Sequence, residues 1–249
     1  MQTIDCELDQ VSVEVVDEHL RERGYFLIRS TVLETIAAAA RNEYLGLFER
    51  EKPHPASEAF TYEQLSELGR WKKCAIGSGN GLGHPISQLL LTTYLHPDSS
   101  HVPALQNLFS PMIRLRNRLM RVPDDFGFVP ARDGFWNASR IHHYPCGGGF
   151  MTAHADTYFP VELGDRPFYQ VGALLSRKGV DFQTGGGFVV SKKDGKKVDI
   201  ESEGGFGTVV IFDGKTVHGV DDVDTHEVMD IHSTTGRIAA FVNVYTYQG

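Results

Sequence analysis

The chain has 249 residues, 41% of them hydrophobic and 22% charged, which is enough apolar content for one domain with a full core. Its formal net charge is −8, and its Lys and Arg residues are scattered rather than clustered, so no surface for nucleic acid is expected. The three cysteines, Cys6, Cys74 and Cys146, form no CxxC pattern. This spacing argues against a disulfide framework and against a zinc-thiolate site.

The amino terminus, MQTIDCELDQVSVEVVDEHL, has neither the basic nor the apolar segment of a secretory signal. The longest apolar stretches are too short to cross a bilayer. We therefore expect a cytoplasmic protein that acts on a small molecule, without a nucleic acid or a membrane as a partner.

Helical periodicity predicts helices at 13–23, 31–50, 86–96 and 103–121, with a short strand at 24–30. From Asn137 onwards the pattern changes to short β-branched and aromatic runs separated by Gly-rich turns. The predicted strands are SRIHHY, FMTAHAD, FYQVGALLS, GGFVVS, the hairpin KKDGKKVDI, GTVVIF and RIAAFVNVYTY.

These elements predict one domain over residues 1–249. Residues 1–130 would provide mainly helical support, and 131–249 would form a sandwich or jelly-roll barrel. The acidic stretch 220–230 is expected to be an exposed insertion between the last strands.

A candidate metal site begins at the tripeptide His154-Ala155-Asp156. On a strand, residues two apart point to the same face, so the imidazole and the carboxylate could converge on one ion. A third candidate, His218, follows an apolar strand 64 residues later in a turn flanked by glycine.

Polar residues also alternate along the strand that precedes this tripeptide. Arg140, His142 and Tyr144 would all lie on one face, where burial is costly unless they bind something. A further basic residue, Arg237, opens the last predicted strand.

This ordered pattern, over roughly residues 137–247, resembles the Fe(II)/2-oxoglutarate-dependent oxygenases of the prolyl-hydroxylase and phytanoyl-hydroxylase type. The resemblance implies an α+β fold whose core is a double-stranded β-helix, a cupin-like jelly-roll barrel with helices packed on one side. It also implies that His154, Asp156 and His218 bind Fe(II) as a facial triad, which leaves three positions open for 2-oxoglutarate and O2.

The resemblance further assigns Arg237 to the distal carboxylate of 2-oxoglutarate, because a guanidinium fork can meet a carboxylate with two hydrogen bonds. Tyr144 matches a position whose hydroxyl often adds a second contact. Arg140 and Lys215 remain alternative anchors, because the spacing from His218 to Arg237 is longer than usual. In addition, Ala239 stands where many relatives carry Ser.

The reaction implied by the resemblance is hydroxylation with release of succinate and CO2. The short chain, with no expected surface for nucleic acid, favours a free amino acid or small natural-product scaffold as the substrate. Asn137, His142 and Tyr158 are candidate substrate-binding residues because they flank the ligand strand. Halogenating relatives carry Gly or Ala at the carboxylate position, whereas this chain keeps Asp156. Desaturation, oxidative cyclisation, a cupin-like metal-binding protein without 2-oxoglutarate chemistry and a non-enzymatic binding or sensory domain on the same fold remain as alternatives.

Overall fold

The computed structural model describes residues 3–5, 7–55, 58, 60–78, 86–96, 100–156 and 168–247. Within these ranges the helices are α1 (Val13–Arg23), α2 (Thr31–Arg50), α3 (Tyr62–Leu68), α4 (Pro103–Leu119), α5 (Pro130–Asp133) and α6 (Ile200–Gly204). The strands are β1 (Thr3–Asp5), β2 (Tyr25–Arg29), β3 (Arg70–Ser78), β4 (Ser87–Leu95), β5 (Phe135–Pro145), β6 (Gly149–His154), β7 (Tyr169–Leu174), β8 (Gly186–Val190), β9 (Lys197–Asp199), β10 (Val209–Asp213), β11 (His218–Val223) and β12 (Gly236–Thr246).

The strands form two curved layers joined through β4. The larger layer has the order β1-β2-β10-β7-β12-β5-β4-β3, and the smaller has the order β6-β11-β8-β9. One strand joins them, because β4 pairs with β5 over Leu91–Leu95 and with β6 at Gln88 and Leu89. The two layers curl around a shared interior. This is the predicted α+β double-stranded β-helix.

The helices pack on the outer face of the larger layer. The first two long helices begin where their caps predict, because Ser12 and Ser30 accept hydrogen bonds from the backbone N–H groups of Val15 and Leu33. With α4, these helices bury the outward side chains of β5, β7, β10 and β12 in the main hydrophobic core. No helix in the described part of the chain is long and apolar enough to cross a membrane.

The predicted helix at 86–96 was wrong. Residues 87–95 form β4, which pairs with β3 along its whole length, so the first half of the chain supplies four strands as well as helices. The segment SQLLLTTYL is a short apolar run, and periodicity alone does not distinguish a helix from a strand in such a run. The predicted helices at 13–23, 31–50 and 103–121 are confirmed, the last ending at Leu119.

The acidic stretch 220–230 was only partly an insertion. Residues 220–223 continue β11, and the exposed turn covers 225–230. His218 is accordingly the first residue of β11 rather than part of a turn. The predicted hairpin KKDGKKVDI is confirmed, because β8 and β9 pair antiparallel across it.

Candidate metal centre and its cavity

The three predicted metal ligands lie together where β6 and β11 meet. His154 ends β6 and His218 begins β11, and the strand register places them directly opposite each other. Asp156 follows β6, and its backbone N–H donates to the Gly214 carbonyl at 2.8 Å. Its two carboxylate oxygens lie 3.6 Å from His154 Nε2 and 3.7 Å from His218 Nε2. All three ligand atoms therefore lie within 4.8 Å of one another.

Both imidazoles are fixed in the orientation that a metal requires. His154 Nδ1 lies 2.8 Å from the Thr152 carbonyl and His218 Nδ1 lies 3.0 Å from the Thr216 carbonyl. A carbonyl only accepts, so each Nδ1 carries the proton and each Nε2 keeps its lone pair free for the centre. Burial lowers the pKa of His218 to about 4, which favours the neutral form that binds metal. Two imidazoles and one carboxylate fit Fe(II), which tolerates this ligand set with open positions.

Asp156 is held in turn by a chain of amides. Gln170 Nε2 donates to Asp156 Oδ2 at 2.7 Å. In the orientation that satisfies both of its neighbours, the Asn243 amide donates from Nδ2 to Gln170 Oε1 at 2.5 Å, and its Oδ1 accepts from Arg140 Nη2 at 3.0 Å. Every N–H in this series points from Arg140 towards Asp156. The series fixes the carboxylate and connects the metal centre to a buried cation.

A cavity of about 320 Å³ opens in front of these ligands between the two strand layers. The larger layer contributes mainly polar and aromatic side chains, His142 among them, and the smaller layer contributes His154, His218 and apolar groups. Ile76 is 64% exposed and Lys73 half-buried, and these residues mark the mouth. Further lining residues are Ile86, Gln88, Thr92, Tyr94, Met151, Phe188, Ile200, Phe212, Phe241 and Tyr245.

Arg237 lies in the cavity wall beside a buried glutamate. Its Nε donates to Glu201 Oε1 at 2.8 Å, and both side chains are almost fully buried, with 2% and 1% exposed. Arg237 Nη1 is buried and has no hydrogen-bond partner among the described residues. A Cβ added at Gly187 would lie 2.6 Å from Arg237 Nη2, so the glycine makes room for the guanidinium. The Tyr144 ring lies 5.2 Å from that guanidinium.

The other predicted residues separate into those at the cavity and those away from it. Arg140, His142 and Tyr144 line it from one face of β5, as the alternation predicts. Burial, followed by the charges of Arg140 and Arg237, lowers the pKa of His142 well below its ordinary value, so this ring is neutral.

Two predicted residues are not brought to the cavity, and a third cannot be placed. Asn137 is buried elsewhere, where its Oδ1 accepts from Arg116 Nη2 at 2.6 Å. Lys215 is exposed and does not line the cavity. Tyr158 lies outside the described residues.

Three residues that hydrogen-bond predicted site residues were not themselves predicted: Gln170, Glu201 and Asn243. Gln170 and Asn243 each interrupt an otherwise apolar strand, FYQVGALL and FVNVY. A polar residue in such a strand is costly unless bonded, so this interruption is a signal that could have identified both. Glu201 follows a charged hairpin in a short helix, and nothing in its neighbourhood distinguishes it from the other acidic residues of ESEGG.

No protein-family model matches the sequence, and no curated protein matches it. Among solved structures, a prolyl-4-hydroxylase from Pseudomonas putida has a TM-score of 0.57 at 15% identity, covering 96% of this chain and 100% of that one. A prolyl hydroxylase from Trichoplax adhaerens, in complex with a hypoxia-inducible-factor peptide fragment, has a TM-score of 0.54 at 14% identity over 94% and 89%. The non-heme α-ketoglutarate-dependent epimerase SnoN from nogalamycin biosynthesis has a TM-score of 0.50 at 13% identity over 94% and 82%. The resemblance inferred from the sequence is therefore confirmed at the level of the fold, which this chain shares with prolyl hydroxylases and an α-ketoglutarate-dependent epimerase.

Proposed function

We propose that this protein is an Fe(II)- and 2-oxoglutarate-dependent dioxygenase that hydroxylates a small molecule and releases succinate and CO2. The observation that carries the proposal is the set of His154, Asp156 and His218, whose two Nε2 atoms and one carboxylate face a cavity. Only three protein ligands converge there among the described residues. A three-ligand site leaves metal positions for a bidentate cosubstrate and for O2.

Fe(II), when bound, would supply O2 activation coupled to decarboxylation of 2-oxoglutarate, which side chains alone do not supply. The protein binds and orients. Its imidazoles are fixed through Thr152 and Thr216, and its carboxylate through Gln170. These bonds hold the ligands in place before any metal arrives.

Arg237 is the proposed anchor for the distal carboxylate of 2-oxoglutarate. Glu201 occupies the Nε edge of the guanidinium, while Nη1 is buried and unpaired among the described residues. A buried donor without a partner is costly, and an incoming carboxylate would satisfy it. The Tyr144 ring centroid lies 5.2 Å from the Arg237 guanidinium carbon, which supports the proposed second contact from its hydroxyl.

A small substrate, such as a free amino acid or a small natural-product scaffold, agrees with the cavity. The cavity volume of about 320 Å³ lies at the small end of the range for ligand pockets. Asp156 also favours oxygenation over halogenation, because it keeps the carboxylate ligand that halogenating relatives lack.

The test is an aerobic screen of amino acids and small natural products with Fe(II) and 2-oxoglutarate, measuring succinate and product mass. The proposal predicts succinate formation that a substrate stimulates, that requires both Fe(II) and 2-oxoglutarate, and that Asp156→Ala abolishes. The product should be heavier by one oxygen atom derived from 18O2, with no halogen incorporated in excess chloride or bromide.

Other outcomes identify the alternatives. A product two hydrogens lighter and unlabelled would replace hydroxylation by desaturation or cyclisation. Metal binding without any 2-oxoglutarate turnover would favour the cupin-like metal-binding protein instead.

A further inference from the structure

The cavity wall contains a second arginine besides Arg237. Arg140 is 5% exposed and lines the cavity from β5. Its Nε donates to His142 Nε2 at 3.0 Å, its Nη1 donates to the Tyr245 hydroxyl at 3.0 Å, and its Nη2 donates to Asn243 Oδ1 at 3.0 Å. All three partners are neutral acceptors. They fix the guanidinium in place without balancing its charge.

The two arginines differ in whether a carboxylate balances their charge. Arg237 is balanced by Glu201 at 2.8 Å, whereas Arg140 forms no ion pair within the described ranges of the chain. Asp156 is separated from Arg140 by two intervening amides and faces the metal centre. A buried charge with no opposite charge beside it is costly, and an anion entering the cavity would remove that cost.

A lysine adds a further positive charge on the same side of the cavity as Arg140. Lys73 of β3 is half-buried at the mouth and is in register with Thr92 of β4, which is in register with His142 of β5. Lys73, like Arg140, forms no ion pair with a carboxylate among the residues that the structure describes. An anion entering past Lys73 would therefore meet positive charge at the mouth and again at Arg140.

Aromatic rings surround this second arginine. The Phe241 and Tyr245 ring centroids lie 5.9 and 5.8 Å from the Arg140 guanidinium carbon. Tyr94 lines the same part of the wall, since it is in register with Arg140. A ligand that reaches Arg140 would thus place its charged end on the guanidinium and its apolar or aromatic body against these rings.

We propose that the substrate is a carboxylate, whose anionic group binds Arg140 while its carbon skeleton packs against Tyr94, Phe241 and Tyr245. The inference rests on the proposed function, in which the metal and Arg237 take the cosubstrate and Arg140 is left for the substrate. The guanidinium selects for charge, and the rings select for an apolar body.

The test is a binding experiment without turnover. The Fe(II) protein is saturated with 2-oxoglutarate under anaerobic conditions, so that Arg237 is already occupied. Three carboxylates are then titrated calorimetrically beside their primary amides: benzoate and benzamide, 3-phenylpropanoate and 3-phenylpropanamide, and L-phenylalanine and L-phenylalaninamide. We expect at least one carboxylate to bind at least tenfold more tightly than its amide, and Arg140→Gln to remove that preference.

A second variant leaves the arginine in place. Asn243→Asp would put a carboxylate against the Arg140 guanidinium and balance its charge internally, so the preference should again be lost. Arg132→Gln is the control, because Arg132 is a half-exposed arginine whose partners are Asp125 and Asp133. This variant should keep the wild-type preference for the carboxylate.

Three results would overturn the inference. In the first, no carboxylate binds more tightly than its amide. In the second, the preference survives in Arg140→Gln. In the third, Arg140→Gln abolishes the binding of 2-oxoglutarate itself, so that Arg140 is the cosubstrate anchor. Failure of the wild-type Fe(II) protein to bind 2-oxoglutarate in the first titration would instead contradict the proposed function, and the inference with it.

Discussion

The two faces of the larger strand layer are built from the same strands but serve different purposes. On β5, Ile141 faces the helices and is fully buried in the main core, while its neighbours Arg140 and His142 face the cavity. On β12 the same alternation places Ile238 among the helices and Arg237 in the cavity wall. One face is apolar and interdigitates with helices. The other carries charges and amides that bond one another.

This difference indicates how stability and function are divided in the chain. Burial of apolar surface on the helix side drives folding, whereas polar groups on the cavity side contribute little net stability once they are bonded. Substitutions on the cavity face should therefore change ligand binding more than the free energy of unfolding. Substitutions on the helix face should do the reverse.

The largest effect on the cavity face is expected from Asp156→Ala. Loss of one of three ligands should weaken Fe(II) binding at least about a hundredfold, more than the loss of a group that only supports a ligand. Circular dichroism should remain that of the wild type, because Asp156 lies beyond the end of β6 and outside the apolar core. The measurement is iron content after dialysis, with the exposed Asp230→Ala as control. Wild-type iron content in Asp156→Ala would remove this residue from the ligand set.

On the helix face, Ile238→Ala should lower the free energy of unfolding by about 2–5 kcal/mol, because it deletes a fully buried side chain and leaves a space. The iron affinity of the folded protein should not change. Urea unfolding measures the first quantity and metal titration the second. Val228→Ala, at a side chain that is 92% exposed, should change neither. A loss of iron affinity without loss of stability in Ile238→Ala would break the division between the two faces.

The smallest effect is expected from Gln170→Leu. This change keeps the volume of the side chain and removes the hydrogen bond to Asp156 Oδ2. Groups that orient a metal ligand typically change affinity by about tenfold to a hundredfold, and we expect about tenfold here. Gln183→Leu, at an exposed position, is the control. Equal iron affinity in Gln170→Leu and the wild type would show that the amide series does not support the metal ligand.

The residues of the site are predicted from the sequence better than the strand pairing around them, for a physical reason. Alternation along β5 separates Arg140 and His142 from Ile141 because a strand repeats every two residues. His154 and Asp156 do converge, but Asp156 lies beyond the end of β6 and is positioned by the hydrogen bond from its backbone N–H to the Gly214 carbonyl. The pairing of β4 with both layers is a long-range property that a short apolar run does not encode.

The unpredicted residues show the same limit. Glu201 reaches Arg237 from a position 36 residues away along the chain, in a short helix that follows β9. Only the closure of the fold brings this carboxylate to the Arg237 guanidinium. By contrast, Gln170 and Asn243 stand in strands whose polar interruptions are visible before folding is considered.

We propose that the cavity face holds Fe(II) and 2-oxoglutarate, with Arg237 as the anchor. Anaerobic titration of 2-oxoglutarate into the Fe(II) proteins tests this assignment. Arg237→Lys keeps a positive charge beside Glu201 but loses the planar fork. Loss of a partner in a desolvated carboxylate pair costs about 2–5 kcal/mol, so the dissociation constant should rise about tenfold or more while iron still binds. The control is Lys215→Met, an exposed lysine outside the cavity, which should leave the constant unchanged. An unchanged constant in Arg237→Lys, or no binding of 2-oxoglutarate to the wild-type protein, would contradict the claim.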